Sequence, residues 1–356
     1  MPFRLAILAD STFMLAVRGP LSVGGLLPPP PCPFPFLRET LEISAVAIRW
    51  RNALERCAPK SKAGSSSFYE KRYYEGIFKD SMNRDQDHIW FLETSYKRKL
   101  GPREACSIES ACRNNGDYTV HLLSTGNISS SDCPYHRLLS KFPNFRSAGL
   151  NVSLELAGTP LEPLHAIGGA LHESPYKVEH LSDFLRYVVL WKHGGVYLDT
   201  DVIVMKSLKG IRNSVFYQSA HVSDRLANGI LFFDEQHPVL GALIDECARV
   251  YKPRLWTICG PSLMSRLPSD AEFSRLVKFN NESAFFVVPW QKWHDLFDPR
   301  KAPAVLRATN ASYGVHFWNK FSKKTRVVPG SGCAMEVLAR YHCPDSYRVA
   351  FSEGYF

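Results

Sequence analysis

Two aspartates that stand two positions apart are the clearest candidates for chemistry in this sequence. Asp199 and Asp201 lie between two short apolar runs, residues 196–198 and 202–204. Side chains at positions i and i+2 of an extended segment point to the same side. Two carboxylates placed in this way can bind one hard divalent cation and leave coordination positions open for the phosphates of a substrate. The pair therefore predicts a site where a metal ion meets a phosphorylated ligand.

The spacing of these aspartates is weak evidence without its context. Asp85 and Asp87 have the same spacing, but they stand in a polar stretch, residues 83–88, that predicts a solvated loop. Several other catalytic motifs are missing from the sequence, namely GxGxxG, GxxxxGK[ST], GxSxG and HExxH. Their absence argues against a dinucleotide dehydrogenase, a P-loop enzyme, a serine hydrolase and a zincin.

A predicted helix and two glycines precede Asp199 and Asp201. Apolar residues recur at helical spacing from residue 179 to residue 193, which predicts an amphipathic helix. Asp183 and Arg186 share one face of this helix, so they can pair with each other or contact the same ligand. Gly194 and Gly195 then end the helix and allow the backbone to turn tightly and to approach another group closely.

The elements around these residues alternate between strand and helix. Strands are predicted at 88–92, 118–123, 196–198, 202–204, 230–233, 284–288 and 313–318, and helices at 103–115, 179–193 and 238–251. Strands separated by helices of this length predict crossover connections, hence an α/β fold with a mainly parallel central sheet and helices on both faces. In such sheets ligands bind at the carboxyl ends of the strands.

Composition and charge narrow the class of protein. The chain has 356 residues, 45% of them hydrophobic and 22% charged, and a formal net charge of +9. This composition excludes a disordered, collagen-like or coiled-coil chain. The densest basic groups, residues 97–103 and 320–326, come with no nucleic-acid-binding motif, so no nucleic-acid partner is expected. A solvated surface is the favoured interpretation of both basic groups, and anionic lipid head groups or a phosphorylated small molecule are the alternative partners.

The cysteines and glycosylation sequons indicate an oxidising compartment. Nine cysteines occur without a CxxC pair, so a zinc site is not expected. Four N-x-[ST] sequons are present, at Asn127, Asn151, Asn281 and Asn310, and with the cysteines they favour a secretory lumen. Eight cysteines could then pair, and the bridges expected are Cys333–Cys343 and Cys247–Cys259; buried free thiols are the alternative.

The first 70 residues differ from the rest of the chain. Residues 19–37 carry no charge but include seven prolines, which forbid a membrane helix there. Residues 1–70 are therefore interpreted as a poorly ordered, proline-rich stem or linker. Residues 5–17 resemble a poor signal sequence or a truncated anchor, and no transmembrane span of the required ~20 residues is identified.

The sequence around the acidic pair resembles a known enzyme signature. Residues 182–201 read SDxxRxxxLxxxGGxYxDxD, which is similar to the DXD signature of sugar-nucleotide-dependent glycosyltransferases with the GT-A fold. Further segments resemble the animal α1,4-glycosyltransferases, the group of lactosylceramide 4-α-galactosyltransferase and α1,4-N-acetylglucosaminyltransferase; they lie at 89–95, 106–111, 226–231, 260–261, 289–290 and 315–320. The resemblance implies one GT-A-like catalytic domain at 85–350, with an α1,4-glycosyltransferase C-terminal part at about 220–350.

The same resemblance implies roles for individual residues. Asp199 and Asp201 would bind Mn²⁺, or alternatively Mg²⁺, and through it the diphosphate of a UDP-sugar. Donor contacts are implied for Phe91, Leu92, Glu93, Thr94, Asp183, Arg186, Gly195, Tyr197, His316 and Lys320, and acceptor contacts for Asn228, Gly229 and Trp290. Structural alternatives stay open at this point: core packing for Phe91, Leu92, His316 and Trp290, and an intrahelical salt bridge for Asp183 with Arg186.

The activity implied is transfer of galactose or N-acetylgalactosamine to a glycosphingolipid such as lactosylceramide, forming an α1,4 linkage. The enzyme would retain the donor's anomeric configuration and act in the lumen at the Golgi membrane. Because no second acid is placed as a nucleophile, the hypothesis is a front-face displacement in which the departing phosphate helps to deprotonate the acceptor. Alternatives are an α1,4-N-acetylglucosaminyltransferase acting on O-glycans, a catalytically silent glycan-binding protein and a metal-dependent phosphohydrolase.

Overall fold

The computed structural model describes residues 87–219, 225–354 and 356. The predicted stem, residues 1–70, lies outside these ranges, as does Asp85 of the second acidic pair. Asp87 begins the first strand of the structure, so the loop predicted for residues 83–88 is wrong at its end: His88 already belongs to an apolar strand that is buried from its third residue onward.

The strands form one large sheet and one small one. They are β1 (Asp87–Glu93), β2 (Tyr118–Ser124), β3 (Phe145–Gly149), β4 (Gly195–Leu198), β5 (Val202–Val204), β6 (Ser214–Phe216), β7 (Ile230–Phe233), β8 (Lys278–Asn280) and β9 (Gly314–His316). Seven strands make the large sheet, in the order β3-β2-β1-β4-β7-β6-β8. Four of its six pairings are parallel, and β7 runs antiparallel to both neighbours. The prediction of a mainly parallel central sheet is therefore confirmed.

Twelve α-helices connect these strands within the described residues. They are α1 (Pro102–Asn114), α2 (Pro134–Leu139), α3 (Val152–Leu156), α4 (Glu162–His165), α5 (Lys177–His193), α6 (Pro238–Val250), α7 (Pro261–Met264), α8 (Phe273–Leu276), α9 (Ala302–Thr309), α10 (Asn319–Ser322), α11 (Ala334–His342) and α12 (Pro344–Ser352). Short 3₁₀ turns lie at Ala170–Glu173, Leu267–Ser269, Glu282–Ala284, Trp290–Leu296 and Pro299–Lys301.

Alternate side chains of the central strands pack into two different cores. On β1, Trp90 and Leu92 pack with α5 and α6, whereas Ile89 and Phe91 pack with α1. This is the period-two alternation that strand geometry imposes, and it places helices on both faces of the sheet, as predicted. Burial of the apolar stripes of these helices is the main source of stability in such a fold.

The two strands predicted nearest the C-terminus differ from the expectation. Residues 284–288 do not form a strand; Phe285 and Phe286 are buried after a 3₁₀ turn, and the apolar run there reflects burial alone. The strand predicted at 313–318 is shortened to β9 and pairs antiparallel with β5 in the small sheet. Because β5 directly follows Asp201, its pairing with β9 decides which residues of β9 lie beside the two aspartates.

Of the two predicted disulfides, one is confirmed and one is wrong. Cys247 bonds to Cys259, but Cys343 bonds to Cys106, and Cys333 is a buried free thiol. Helix α11 separates Cys333 from Cys343, and nine helical residues span about 14 Å, too far for a disulfide. Cys112 and Cys133 are also free and buried, so the expectation that eight cysteines pair does not hold for the described residues.

The Cys106–Cys343 bridge joins α1 to the junction of α11 and α12 across 237 residues, whereas Cys247–Cys259 spans 12. Loop-closure entropy grows with the logarithm of loop length, so we expect loss of the long bridge to lower the free energy of unfolding by about 2–3 kcal/mol more than loss of the short one. Denaturant unfolding of the Cys106→Ala/Cys343→Ala and Cys247→Ala/Cys259→Ala variants measures this difference, and equal losses would contradict it.

Candidate metal and nucleotide-sugar site

Strand pairing brings three metal-binding side chains together at the carboxyl end of β4. Asp199 directly follows β4, and its backbone N–H donates to the carbonyl of Gly229, 2.8 Å away. Asp201 directly precedes β5, where Val202 pairs with His316 of β9. The register of the small sheet therefore places an imidazole beside two carboxylates that are more than 100 residues away in sequence.

The three side chains have the chemistry of a divalent-cation site. The Nε2 atom of His316 lies 3.1 Å from Oδ1 of Asp201 and 3.9 Å from Oδ2 of Asp199. One ligand atom from each residue lies within 4.8 Å of the other two. Two carboxylates and one imidazole suit Mn²⁺ or Mg²⁺ better than a soft metal, so these residues fit the cation that the sequence predicted.

The backbone turn after His316 orients two side chains of the cluster. Trp318 has a left-handed backbone, with φ of 56°, which is costly for a bulky residue. In this turn the N–H of Trp318 donates to Nδ1 of His316 (3.2 Å), and the N–H of Asn319 donates to Oδ2 of Asp201 (2.7 Å). The strained turn thus orients both side chains. No pattern in the sequence indicated it.

A buried network of ion pairs and hydrogen bonds holds the Asp199 carboxylate. Nη1 of Arg186 lies 3.1 Å from Oδ1 of Asp199, and Nη2 lies 3.3 Å from Oδ1 of Asp183. The hydroxyl of Tyr197 donates to Oδ1 of Asp199 (2.7 Å), and the Arg186 guanidinium stacks 4.6 Å above the Tyr197 ring. The amide of Asn228 donates to Asp183 (2.7 Å). The intrahelical pair of Asp183 and Arg186 is therefore real, and it also reaches the metal-binding acid.

Charge and burial shift the pKa values of this network in opposite directions. Burial alone would raise the pKa of Asp199, but the charge of Arg186 and the contacts of His316 hold it well below its usual range. Burial also raises the pKa of Asp183, to about 6, against the opposing charge of Arg186. Burial lowers the pKa of His316, but the two neighbouring aspartates outweigh it and raise the pKa to about 9. At neutral pH Asp199 is therefore ionised, and a cation that binds here replaces the proton of His316.

The end of β1 is packed beside this network. Phe91 and Leu92 are core residues, 0% and 5% exposed, so the core alternative holds for both. Glu93 and Thr94 are also buried, and Oγ1 of Thr94 donates to the carbonyl of Val178 (3.0 Å). The first strand is thereby tied to the start of α5, which carries Asp183 and Arg186.

Gly195, for which a donor contact was predicted, lies at the opposite end of β4 from Asp199. It begins β4, so four residues, about 13 Å of strand, separate it from Asp199. Its φ is 98°, and a Cβ there would lie 2.4 Å from the carbonyl oxygen of His88. Glycine is needed at this position because two backbones approach closely.

The remaining predicted residues lie around the cluster. Gly229 contacts Asp199 directly, whereas the Asn228 side chain is 6% exposed and committed to Asp183. Trp290 stacks on Phe321, with ring centroids 5.8 Å apart. Lys320 follows Asn319 in the chain, and its ammonium contacts Glu179, Tyr176 and Trp256.

The missing side chain of Gly229 makes room for the metal-binding carboxylate. A Cβ at this position would lie 2.3 Å from Oδ2 of Asp199. We expect Gly229→Ala to force the carboxylate out of place and to weaken Mn²⁺ binding by at least about 10-fold, with little change in stability because a side-chain end can move. Calorimetric titration with Mn²⁺ measures this. Gly116→Ala, where a Cβ meets nothing within 4 Å, is the matched control and should bind normally.

The α/β sheet, with an acidic pair and an imidazole at a strand's carboxyl end, is the arrangement that the predicted glycosyltransferase of GT-A-like fold requires. Two family descriptions match adjoining parts of the chain: "Glycosyltransferase sugar-binding region containing DXD motif" at residues 101–220 and "Alpha 1,4-glycosyltransferase conserved region" at 232–350. The chain belongs to the α1,4-glycosyltransferase family.

Curated relatives are similar in sequence to this chain over about three quarters of their own length. Lactosylceramide 4-alpha-galactosyltransferase of Rattus norvegicus is 32% identical over 277 residues, which cover 74% of this chain and 75% of the relative. Alpha-1,4-N-acetylglucosaminyltransferase of Homo sapiens is 30% identical over 278 residues, covering 73% and 79%. One name states a 4-alpha-galactosyltransferase and the other an alpha-1,4-N-acetylglucosaminyltransferase. The prediction of a hexosyltransferase is therefore confirmed, whereas the sugar and the UDP donor stay predictions.

Solved structures with similarity to this chain include two glycosyltransferases. The PaToxG glycosyltransferase aligns with a TM-score of 0.40 at 16% identity, covering 67% of this chain and 84% of that one. The galactosyltransferase LgtC, in complex with donor and acceptor sugar analogues, aligns with a TM-score of 0.35 at 16% identity, covering 74% and 99%.

Proposed function

We propose that this protein transfers galactose or N-acetylgalactosamine from a UDP-sugar to a glycosphingolipid such as lactosylceramide, and that the transfer depends on Mn²⁺. The observation that carries the proposal is the cluster of Asp199, Asp201 and His316, held by Arg186 at the carboxyl end of β4. Support for galactose and for lactosylceramide comes from the names of the galactosyltransferase relatives.

The residues of the chain have distinct tasks in this proposal. Asp199, Asp201 and His316 would hold the cation, which when bound neutralises negative charge on the diphosphate leaving group. Arg186 and Tyr197 keep the Asp199 carboxylate oriented and ionised. Because ion pairs and hydrogen bonds within the protein hold this network, little reorganisation is needed when the donor binds.

We propose that the donor's anomeric configuration is retained through a front-face displacement. The acceptor oxygen bonds to the anomeric carbon while the bond from that carbon to the phosphate oxygen breaks. The acceptor's proton passes to the departing diphosphate. Support comes from the buried carboxylate nearest the network: Asp183 is 7% exposed and held by both Arg186 and Asn228, which leaves it poorly placed as a nucleophile. Trapping a sugar covalently on a carboxylate of the enzyme would overturn this mechanism.

We also propose that the enzyme acts in the lumen of the Golgi apparatus, at the membrane. Two disulfides and four exposed sequon asparagines, Asn127, Asn151, Asn281 and Asn310, suit an oxidising, glycosylating compartment. Across the described parts of the chain, no helix is both long enough and apolar enough to cross a membrane.

Release of UDP tests the proposal directly. We expect UDP release and an extended glycan with UDP-galactose or UDP-N-acetylgalactosamine, lactosylceramide and Mn²⁺, and neither when Mn²⁺ is chelated. UDP-N-acetylglucosamine with O-glycan acceptors tests the activity of the other relative. No release from any of the three donors would refute the transferase activity, and release of phosphate without an extended glycan would indicate a phosphohydrolase.

A further inference from the structure

A second cluster of side chains lies beside the metal site. The Lys320 ammonium is 2.7 Å from Oε1 of Glu179 and lies over two aromatic rings, 4.9 Å from the centroid of Trp256 and 5.8 Å from that of Tyr176. Glu179 is one helical turn before Asp183 on α5. Lys320 follows Asn319, whose N–H binds Asp201. We call Tyr176, Glu179 and Trp256 the aromatic-acidic cluster.

Hydrogen bonds and a disulfide hold the backbone beside this cluster in place. The His180 side chain is completely buried, and its Nε2 lies 3.1 Å from the carbonyl oxygen of Trp256. The hydroxyl of Ser174 donates to the carbonyl of Pro253 (2.8 Å). Just after Trp256, the Cys247–Cys259 disulfide fixes the chain to α6. The loop is therefore held in place, although it presents a tryptophan that is 38% exposed.

An exposed tryptophan on a braced loop is more useful for binding than for folding. Burying the ring inside the protein would stabilise the fold more than leaving over a third of it in water. The ion pair is of little structural value either, because Lys320 and Glu179 are both about 40% exposed and such pairs contribute about 0–1 kcal/mol. The stability of the fold therefore explains neither the exposed Trp256 ring nor the ion pair of Lys320 with Glu179.

The chemistry of the cluster suits a pyranose ring. The C–H face of a sugar packs on an aromatic face, and its hydroxyls donate to a carboxylate, so a few placed polar groups beside aromatic walls form a typical ligand site. The Lys320 ammonium now makes both kinds of contact, one with Glu179 and one with the rings. It fills the space as a polar group of a ligand would.

We propose that Tyr176, Glu179 and Trp256 bind the terminal sugar of the acceptor, which takes the place of the Lys320 ammonium. The inference rests on the proposed glycosyl transfer and adds the position of the acceptor. The acceptor then lies between α5 and the loop before Cys259, one helical turn from the network that holds the metal-binding acids. Binding of the sugar displaces Lys320 from the carboxylate.

Steady-state kinetics with a soluble lactoside, octyl β-lactoside, test this subsite. We expect Trp256→Ala and Glu179→Gln each to raise the acceptor KM at least about 10-fold. The donor KM, the Mn²⁺ affinity and the slow release of UDP in the absence of acceptor should stay within about twofold. Lys320→Met, which removes the competing ammonium, should leave the acceptor KM unchanged or lower it. The control is Leu255→Ala, a neighbour in the same loop that is 49% exposed, and its acceptor KM should not change.

The outcomes separate this inference from the proposed function. An unchanged acceptor KM in both Trp256→Ala and Glu179→Gln overturns the subsite, and so does a parallel loss of acceptor-free UDP release, which would indicate damage to the donor cleft. A rise in acceptor KM for Lys320→Met overturns the role given to that lysine. If the unaltered enzyme releases no UDP with any donor, the transferase proposal itself fails. Thermal unfolding of each variant verifies that it is folded.

Discussion

Asp201→Asn is expected to lower Mn²⁺-dependent sugar transfer by about 1000-fold or more. The substitution removes one of two negative charges that hold the cation, and a metal ion contributes several kcal/mol to stabilising transition-state charge. Folding should survive, because an asparagine oxygen can still accept the N–H of Asn319, which now donates to Asp201 across 2.7 Å. Transfer assays and Mn²⁺ titration of the same preparation measure both effects.

The control for this substitution is a second aspartate that also pairs with a cationic side chain but lies outside the metal site. Asp234 pairs with Arg212 at 3.0 Å on the exposed surface, at the end of the sheet opposite the metal site. Asp234→Asn removes the same charge there and should leave transfer within about twofold. Full activity of Asp201→Asn would remove this residue from the site, and an unfolded variant would show that the carboxylate is needed for the fold.

Arg186→Met should lower the free energy of unfolding by about 3 kcal/mol at pH 8, because removing one partner of a buried ion pair leaves uncompensated charge. Arg186 is 6% exposed, and it contacts Asp183 and Asp199. Burial raises the pKa of Asp183 to about 6 in the folded protein, and loss of the arginine raises it further. The folded state then binds more protons than the unfolded state, so the destabilisation should grow as the pH rises from 5 to 8.

Arg348→Met is the matched control for the arginine substitution. Arg348 pairs with Asp345 at the same i, i+3 spacing, but it is 75% exposed. Its removal should change the free energy of unfolding by no more than about 0.5 kcal/mol at either pH. Chemical denaturation at pH 5 and pH 8, without metal, compares the two variants. If Arg186→Met and Arg348→Met are equally stable, the structure is wrong in showing the charges of Arg186 and Asp183 as buried.

The sequence predicted those elements whose signals are local. Helix α5 followed from apolar spacing, its end followed from Gly194, and β1 followed from a short apolar run. The failures came from segments whose conformation depends on distant partners. Residues 284–288 are apolar because Phe285 and Phe286 are buried, and hydrophobicity alone does not distinguish a buried strand from a buried loop. Cys343 pairs with Cys106 because helix packing brings them together.

By itself, the sequence placed the two acids on one side of a strand and Asp183 with Arg186 on one face of a helix, because spacing within one segment fixes which side chains share a face. The class of enzyme followed from the resemblance of these motifs to a known family. Only the tertiary structure decided which side chains from distant parts of the chain contact these elements. His316 reaches Asp201 through the register of β5 and β9, and Trp256 reaches Lys320 from a loop that a disulfide holds. Contacts of this kind join segments far apart in the chain and depend on packing, for which no single segment carries a pattern.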